Sequence, residues 1–576
     1  MKKIFIAILL VIFSAPAGWS ATVDCAANCT NSALTTAIAS AGVDGTVNIP
    51  AGNFTWTGSV SISRGIKIVG AGNSLSNITR SGEAFSVNMS STARTNGEIF
   101  ELSDVNINGS NSGTMFALTG PSPTSSSIPP PTLVNIHDST LKNSGQGGHM
   151  LQMSGIVYGS LYSNTFDRIG VFIQWLGVNG ANCSGYEMWK WRTGFSYGDD
   201  EALYVEGNTF QYSSNCSSCT DPAWIETGWG APGIVVRYNN YSFTNQGDVG
   251  EMWDIHGLQY GCSGGQCSTQ KVEYYGNIIS GFPSGWARMI NMRGSWGLFF
   301  NNKASGVSQP NVELYGESCN PAPNCETGFC DFDSGCVSLL PGVTQEVNNT
   351  YIWNTIWGSS TQMVFSMNYG NYCSLAENSD WWEYNSGCTA SSCSSGVGVG
   401  SSTPTGTCTT GVGYWKWTQG TTLPSSMDDM ITYTQAGTFY KCDESGQWQE
   451  YYTPYQYPYF SEAGDTTPPV ITNTTPNGTK MCNTNPSTII ISVTTDENAT
   501  CKFDTSDTVY DSMTYTFSTT GTTSHSDNES KACGSSYTYY VRCMDESSNK
   551  STSSTTITFK VGSAKLATQA NQVIIN

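Results

Sequence analysis

Charge is scarce in this chain. Asp, Glu, Lys and Arg make up 12% of its 576 residues, and Lys and Arg are absent from Ala304 to Tyr414. What charge there is leans acidic, 24 Lys plus Arg against 44 Asp plus Glu, for a net charge of -20. That balance excludes nucleic acid and an anionic membrane surface as natural partners. Histidine is rarer still, at four residues, and no phosphate loop, nucleophile elbow or zinc-type His/Cys spacing occurs. No long stretch of 3.6-residue periodicity interrupts the chain from about residue 46 to 303. Beyond the first twenty residues nothing is apolar enough to cross a bilayer.

What is present first is a leader. "MKKIFIAILLVIFSAPAGWSA" has two lysines, an apolar run short for a membrane span, and small residues at Gly18 and Ser20. Residues 1–20 are expected to be a signal peptide, with the mature chain starting near Ala21, so a secreted or cell-surface location is expected. All 20 cysteines lie beyond that segment. An even count in an exported chain reads as disulfides, with close pairs such as Cys25/Cys29, Cys216/Cys219 and Cys262/Cys267 stapling loops. Aromatic residues are plentiful, 17 Trp and 29 Tyr. They suit sugar rings as well as cores.

From about residue 46 to 303, short alternating or β-branched segments recur between Gly, Ser and Asn: "TVNIPAG", "IKIVGAG", "LVNIHDSTL", "EALYVEGNTF", "GIVVRYNNYSF", "KVEYYGNII", "WGLFFNNK". An Asn follows the strand at Asn164, Asn208, Asn240, Asn277 and Asn302. Such a repeat at uneven separations predicts solenoid coils with loops of varying length. The Asn is expected to take the left-handed bend between two parallel sheets and to hydrogen-bond its counterpart on the next coil. The fold class is thus all-β, a right-handed parallel β-helix.

The stretch "GTVNIPAGNFTWTGSVSISRGIKIVGAG" resembles the opening coils of pectate-lyase-like β-helix proteins. "IVVRYNN", "VEYYGNII" and "MRGSWGLFFNN" resemble later coils of secreted bacterial members of that group. The resemblance covers residues 25 to 303 and carries the fold; function is left open, because β-helices host lyases, hydrolases, adhesins and phage spikes alike. The expected order is an N-terminally capped helix over 21–350, a Cys- and aromatic-rich cap over 351–464, a β-sandwich over 465–562 and a tail. The sandwich, announced by the "DTTPPVI" linker, resembles small immunoglobulin-like or fibronectin-type-III-like modules of secreted bacterial proteins. Its preferred disulfides are Cys501–Cys543 and Cys482–Cys533, among three possible connectivities.

A uronic-acid lyase needs a base for the sugar C5 proton, commonly Arg or Lys in β-helix lyases, and a cation to neutralise the neighbouring carboxylate. Arg168, Lys190, Arg192, Arg237, Lys271, Arg288 and Arg293 gather basic charge along the central coils. Arg288, Arg293, His256 and Arg237 are the catalytic candidates, and Trp253, Asp254 and Glu226 the substrate-binding ones. Asp199, Asp200 and Glu201 could supply oxygen ligands to Ca²⁺, as could Glu206, Asp248, Glu251 and Asp254. The bland alternative for Arg237 and Arg293 is bracing, by stacking on Tyr or Trp and pairing with a carboxylate one coil away. For His256 it is a hydrogen bond at a sheet corner; His137 in "HDS" and His149 have weaker context.

Two further readings stand beside the lyase. "NTF" at 164, "GDD" at 198, "HG" at 256 and "RMI" at 288 follow the order of motifs in polygalacturonase-like hydrolases, but Phe166 and Ile290 replace an expected Asp and Lys. Alternatively the chain is a non-catalytic adhesin or carbohydrate-binding scaffold. In every reading the expected partner is a polysaccharide or cell-surface glycan, and the chain is expected to act as a monomer.

Overall fold

The computed structural model describes residues 20–80, 82–109, 114–121, 129–143, 149–167, 170–174, 196–211, 223–228, 233–242, 251–255, 271–280, 288–292, 296–305, 312–315, 347, 349–357, 364–367, 376–460, 468–545 and 549–563. The chain divides into two compact units, Met1–Phe460 and Ser461–Asn576.

The first unit is a parallel β-helix. Each coil contributes a strand to three parallel sheets, of 12, 10 and 10 strands. In the first sheet, strands such as Leu203–Glu206, Ile234–Arg237 and Lys271–Tyr275 are neighbours in space through coils rather than hairpins. Alternation sets the core: Leu203, Val205, Ile234, Val236, Val272 and Tyr274 point inward and are buried. On the second sheet Phe166 stacks on Phe210 at 4.9 Å and Phe210 on Tyr241 at 4.7 Å. Like side chains one coil apart thus fill the interior in files. At the N-terminal end the helix Asn31–Ala41, capped by Thr30 Oγ1 accepting from Ala33 N, buries Leu34, Ile38 and Ala41 over the first coil. It covers the strand edge that a solenoid otherwise leaves open.

The asparagine ladder runs at the corner between the first and second sheets, with one shift from the expected set. Asn164, Asn208, Asn239, Asn277 and Asn302 form it. From Asn208 onward each Oδ1 accepts the Nδ2 of the rung before it, at 3.2 Å for Asn164 to Asn208 and 3.0 Å for the later pairs, while Asn164 Oδ1 accepts from Ser139 N at 3.1 Å. Each Nδ2 also reaches a backbone carbonyl, as Asn239 does at Val205 O at 2.9 Å. Asn240, the expected rung, is exposed and starts the next strand, while Asn239 is fully buried. The conformational reason also moves by one residue. The left-handed position is the one before each rung: Ser163 at φ 55, Gly207 at φ 63, Tyr238 at φ 57, Gly276 at φ 68 and Asn301 at φ 54. The preceding residue makes the corner and the ladder Asn fastens it. At Gly276 the choice of residue is forced, since a Cβ there would lie 2.5 Å from the Tyr238 ring.

Coils continue beyond residue 350 through the strands Thr350–Trp353 and Trp381–Glu383. The segment after Glu383 does more than close the end. A four-stranded sheet, a helix Met427–Gln435 and the residues 452–460 pack on the outward face of the first sheet. They bury Tyr204, Val235, Tyr275, Phe300, Tyr351 and Trp353, the outward counterparts of the core positions. The rings of Tyr275 and Phe300 stack at 4.6 Å, and those of Phe300 and Trp353 at 4.4 Å. Cys393 and Cys408, at the two ends of the Gly-, Ser- and Thr-rich stretch "CSSGVGVGSSTPTGTC", pair with Cys388 and Cys442.

The second unit is β-sandwich-like. The strand Ser487–Asp504 pairs through its first half with Thr522–Lys531 and Ile471–Thr475, and through its second half with Ser536–Asp545. One bent strand therefore belongs to two layers, with Ile491, Val493, Phe503, Val541 and Phe559 between them. Both preferred disulfides are present, Cys501–Cys543 and Cys482–Cys533, as is Cys25–Cys29 in the first unit. Cys501 and Cys543 are register partners on adjacent strands. Their bridge lies within a sheet, unlike the inter-sheet bridge of immunoglobulin domains. Cys216/Cys219 and Cys262/Cys267 lie outside the described residues.

Candidate functional site

Three successive strands of the third sheet carry one outward row of polar groups, and a fourth brings Glu226 into register with it. In Ala223–Gly228, Glu251–Ile255, Arg288–Met292 and Val312–Tyr315, the register aligns Glu226 with Asp254, Asp254 with Asn291, and Asn291 with Glu313. The flanking residues Trp253, Ile255, Ile290, Met292, Val312 and Leu314 point inward and are fully buried. The period-two pleat thus turns every second side chain to the other face. Asn291 Nδ2 donates to Asp254 Oδ1 at 3.2 Å. Exposure is only 6% at Asp254, 1% at Asn291 and 8% at Glu313. Carboxylates on the outside of a solenoid would ordinarily be well solvated, so their burial in a row marks this face.

The sequence candidates distribute unevenly around that row. Glu226 and Asp254 meet on adjacent strands, with Glu226 described by its backbone alone. Trp253 is fully buried against Tyr274, so it packs the core and offers no face to a substrate. Arg288 opens its strand in register with Glu251, two residues before the inward Ile290; of its side chain nothing is described. Arg293, His256, Arg168, Lys190, Arg192 and Asp248 lie outside the described residues. Asn291 and Glu313 were missed from sequence. Their signal was phase alone, because "INM" and "VEL" repeat the apolar-polar-apolar pattern of "WDI".

Arg237 lies on a different sheet and braces the fold. Its side chain is fully buried on the outward side of the first sheet, beneath residues 455–459. Nε donates to Glu206 Oε2 at 2.8 Å and Nη2 to the same oxygen at 2.6 Å. Nη1 reaches the Tyr275 hydroxyl at 3.0 Å and the Tyr455 carbonyl, and Nη2 the Gln456 carbonyl at 2.6 Å. The guanidinium lies 4.4 Å from the Tyr204 ring centroid. Glu206 also accepts from Ser160 Oγ at 2.8 Å and Tyr459 N at 2.6 Å. A cation with this many internal acceptors and no solvent exposure is the bracing arginine of the bland reading, and it has no route to a substrate.

The proposed calcium ligands are turn residues. Asp199 uses Oδ2 to accept from Ser196 N at 3.2 Å and Oδ1 to accept from Glu201 N at 3.1 Å, closing its own loop. Asp200 lends its carbonyl to the Tyr459 hydroxyl at 2.9 Å, and Glu201 is exposed. Among the described residues no three His, Cys, Asp or Glu side chains converge as a metal-binding group.

A second polar cluster lies on the first sheet, on coils that the returning segment leaves open. His137 sits between Asp138, 2.8 Å from Nδ1, and Glu101, 3.2 Å from Nε2, while Lys67 Nζ is 2.7 Å from Glu101. Burial alone would lower the His137 pKa, but its hydrogen bonds to Asp138 and Glu101 outweigh burial and raise it to about 9. At neutral pH His137 is therefore a cation flanked by two anions.

Comparison of the chain with family models, with curated proteins and with solved structures finds no match. Functional assignment therefore rests on the geometry of these faces. Among the described residues, no helix is long and apolar enough to cross a membrane, and five disulfides point to an oxidising environment.

Proposed function

We propose that the protein is a secreted, polysaccharide-active member of the pectate-lyase-like β-helix group whose glycan lies across the outward face of the third sheet. The observation that carries this reading is the Glu226–Asp254–Asn291–Glu313 row. Acid, amide and acid stand at Asp254, Asn291 and Glu313 on successive strands about 4.8 Å apart, with Glu226 in register on the strand before them. A linear polymer laid along the coil axis would meet the exposed edges of Asp254 and Glu313, with Asn291 buried between them and bonded to Asp254, while the inward neighbours hold the row rigid.

Two cleavage chemistries fit this face. β-Elimination of an acidic polysaccharide would draw on a divalent cation to bridge substrate carboxylates to the acidic row and on a base beside it, for which Arg293, two residues beyond Asn291 in the chain, is the sequence candidate; Arg288 shares the inward phase of Ile290. Hydrolysis would use the two acids of the row. Asp254 and Glu313 stand two strands apart, about 9.6 Å by strand spacing, close to the roughly 6.5–9.5 Å separation of an inverting acid-base pair. The same face without cleavage would serve an adhesin.

The discriminating experiment incubates the protein with uronic-acid and neutral polymers, with and without calcium, following both unsaturated-product absorbance and new reducing ends. Absorbance that needs calcium selects elimination. Reducing ends without it, lost by at least about a hundredfold in Asp254→Asn or Glu313→Gln, select hydrolysis. Neither signal on any polymer removes the enzyme readings for those substrates and leaves the scaffold.

A further inference from the structure

The second unit carries a sheet face from which charge is sorted away. Its neighbouring strand reads "TTSHSDNESK", residues 522–531, in which uncharged and ionisable residues alternate from Ser524 to Lys531. Pairing with the long strand sorts them. His525, Asp527 and Glu529 align with the core residues Val493, Ile491 and Ile489, and Lys531 aligns with the buried Ser487. The uncharged set aligns with the opposite face: Ile490 stands beside Asn528 and Ser492 beside Ser526, flanked along the strand by Thr488 and Thr494. On the other side the Thr475 hydroxyl lies 2.6 Å from that of Ser492, and the Thr472 hydroxyl 3.0 Å from that of Thr494. Ile490 is 62% exposed in the middle of this array.

The second half of the same long strand provides an internal control. There the outward positions include Lys502 and Asp504, with Arg542 beside Lys502 in register. Charge is therefore excluded from one half of a single strand and admitted on the other, in a protein of net charge -20.

Docking a flat surface requires stripping its water. Hydroxyl and amide groups lose little if the partner supplies hydroxyls, because each both donates and accepts, whereas a stripped charge without a counter-charge is costly. An exposed Ile at the centre matches the C–H face of a sugar ring. The pleat spaces these groups about 6.8 Å along a strand and about 4.8 Å across it, a regular array suited to an ordered, repeating partner. We propose that this uncharged face is a binding surface for an insoluble, neutral, hydroxyl-rich glycan, by which the second unit anchors the protein. The inference does not depend on the third-sheet row.

The test uses the full chain and its sedimentation with microcrystalline cellulose, chitin and an insoluble β-1,3-glucan. The expected result is depletion from the supernatant by at least one of these. Binding should fall by at least about tenfold in Ser492→Glu and in Ile490→Asp, since each forces an unpaired charge into the contact. Lys502→Glu, on the charged half, should sediment like the parent. Retained far-ultraviolet circular dichroism shows that the variants fold, and Asn528→Asp, a near-isosteric change that adds only charge, keeps the test decisive should Ile490→Asp unfold. No depletion by any of the three glycans, or equal depletion by parent, Ser492→Glu and Asn528→Asp, overturns the proposal.

Discussion

The first sheet presents the same outward surface twice, once covered and once open. On coils beneath the returning segment it bears Glu206 and Arg237, fully buried and mutually bonded. On the earlier coils it bears Lys67, Glu101 and His137, which pair with one another in partial contact with water. Both are acid-base clusters on adjacent rungs of one sheet. Burial makes the first pair indispensable once present, because removing either partner strands a charge in a dry environment, while in the second water can take the place of a lost partner.

The largest effect is expected under the cover. Glu206→Ala should cost about 3–5 kcal/mol, read as a lower urea midpoint for the first unit. The double change Glu206→Leu with Arg237→Met should recover much of that loss, and a double variant as unstable as the single would break the comparison. Next comes the ladder at the corner of this sheet. Asn239→Ala should cost about 1–3 kcal/mol by leaving Asn208 and Asn277 partly unpaired, whereas Asn240→Ala should stay within about 0.5 kcal/mol. Equal effects at the two positions would contradict the observed register.

On the open half, pH is the sharper probe. Burial works against charge on His137, yet its carboxylate partners raise its pKa to about 9 from an ordinary 6.5. The stabilisation this represents is fully present below about 6.5 and is lost as pH rises through about 9. A two-dimensional NMR titration of the His137 ring should place its midpoint well above those of exposed histidines; an ordinary midpoint would show that Glu101 and Asp138 do not hold it. The smallest effect is expected at Lys67, whose side chain is 47% exposed. Lys67→Ala should change stability by no more than about 1 kcal/mol, and less in high salt.

Much of this fold could be read from the chain because a solenoid writes its architecture locally. Alternating strands and a polar residue at each corner suffice to announce coils. Precision failed where one residue of phase decides the outcome. "YNN" at 238–240 offers two asparagines, and only the coil stack selects Asn239 as the rung. Trp253 and Asp254 looked like joint lining of a groove, but the pleat sends adjacent residues to opposite faces. Arg237 illustrates the other limit. Its role is set by carbonyls at Tyr455 and Gln456, more than two hundred residues downstream, and no local pattern anticipates that contact. Glu313 was overlooked because "VEL" holds no rare residue to draw attention. Its significance arises only from alignment with Asp254 and Asn291.

The distance in sequence between the returning segment and the surface it covers also orders events during synthesis. Coils can stack as soon as each strand emerges, since every rung needs only its predecessor. The outward rings of Tyr204, Tyr275, Phe300 and Trp353 must then wait for residues 415–460 before they are shielded. Until that moment a nascent chain displays a column of aromatic rings several coils long, the kind of surface that recruits chaperones or sticks to its own kind. A product shortened before Tyr452 would keep its coils and lose its solubility.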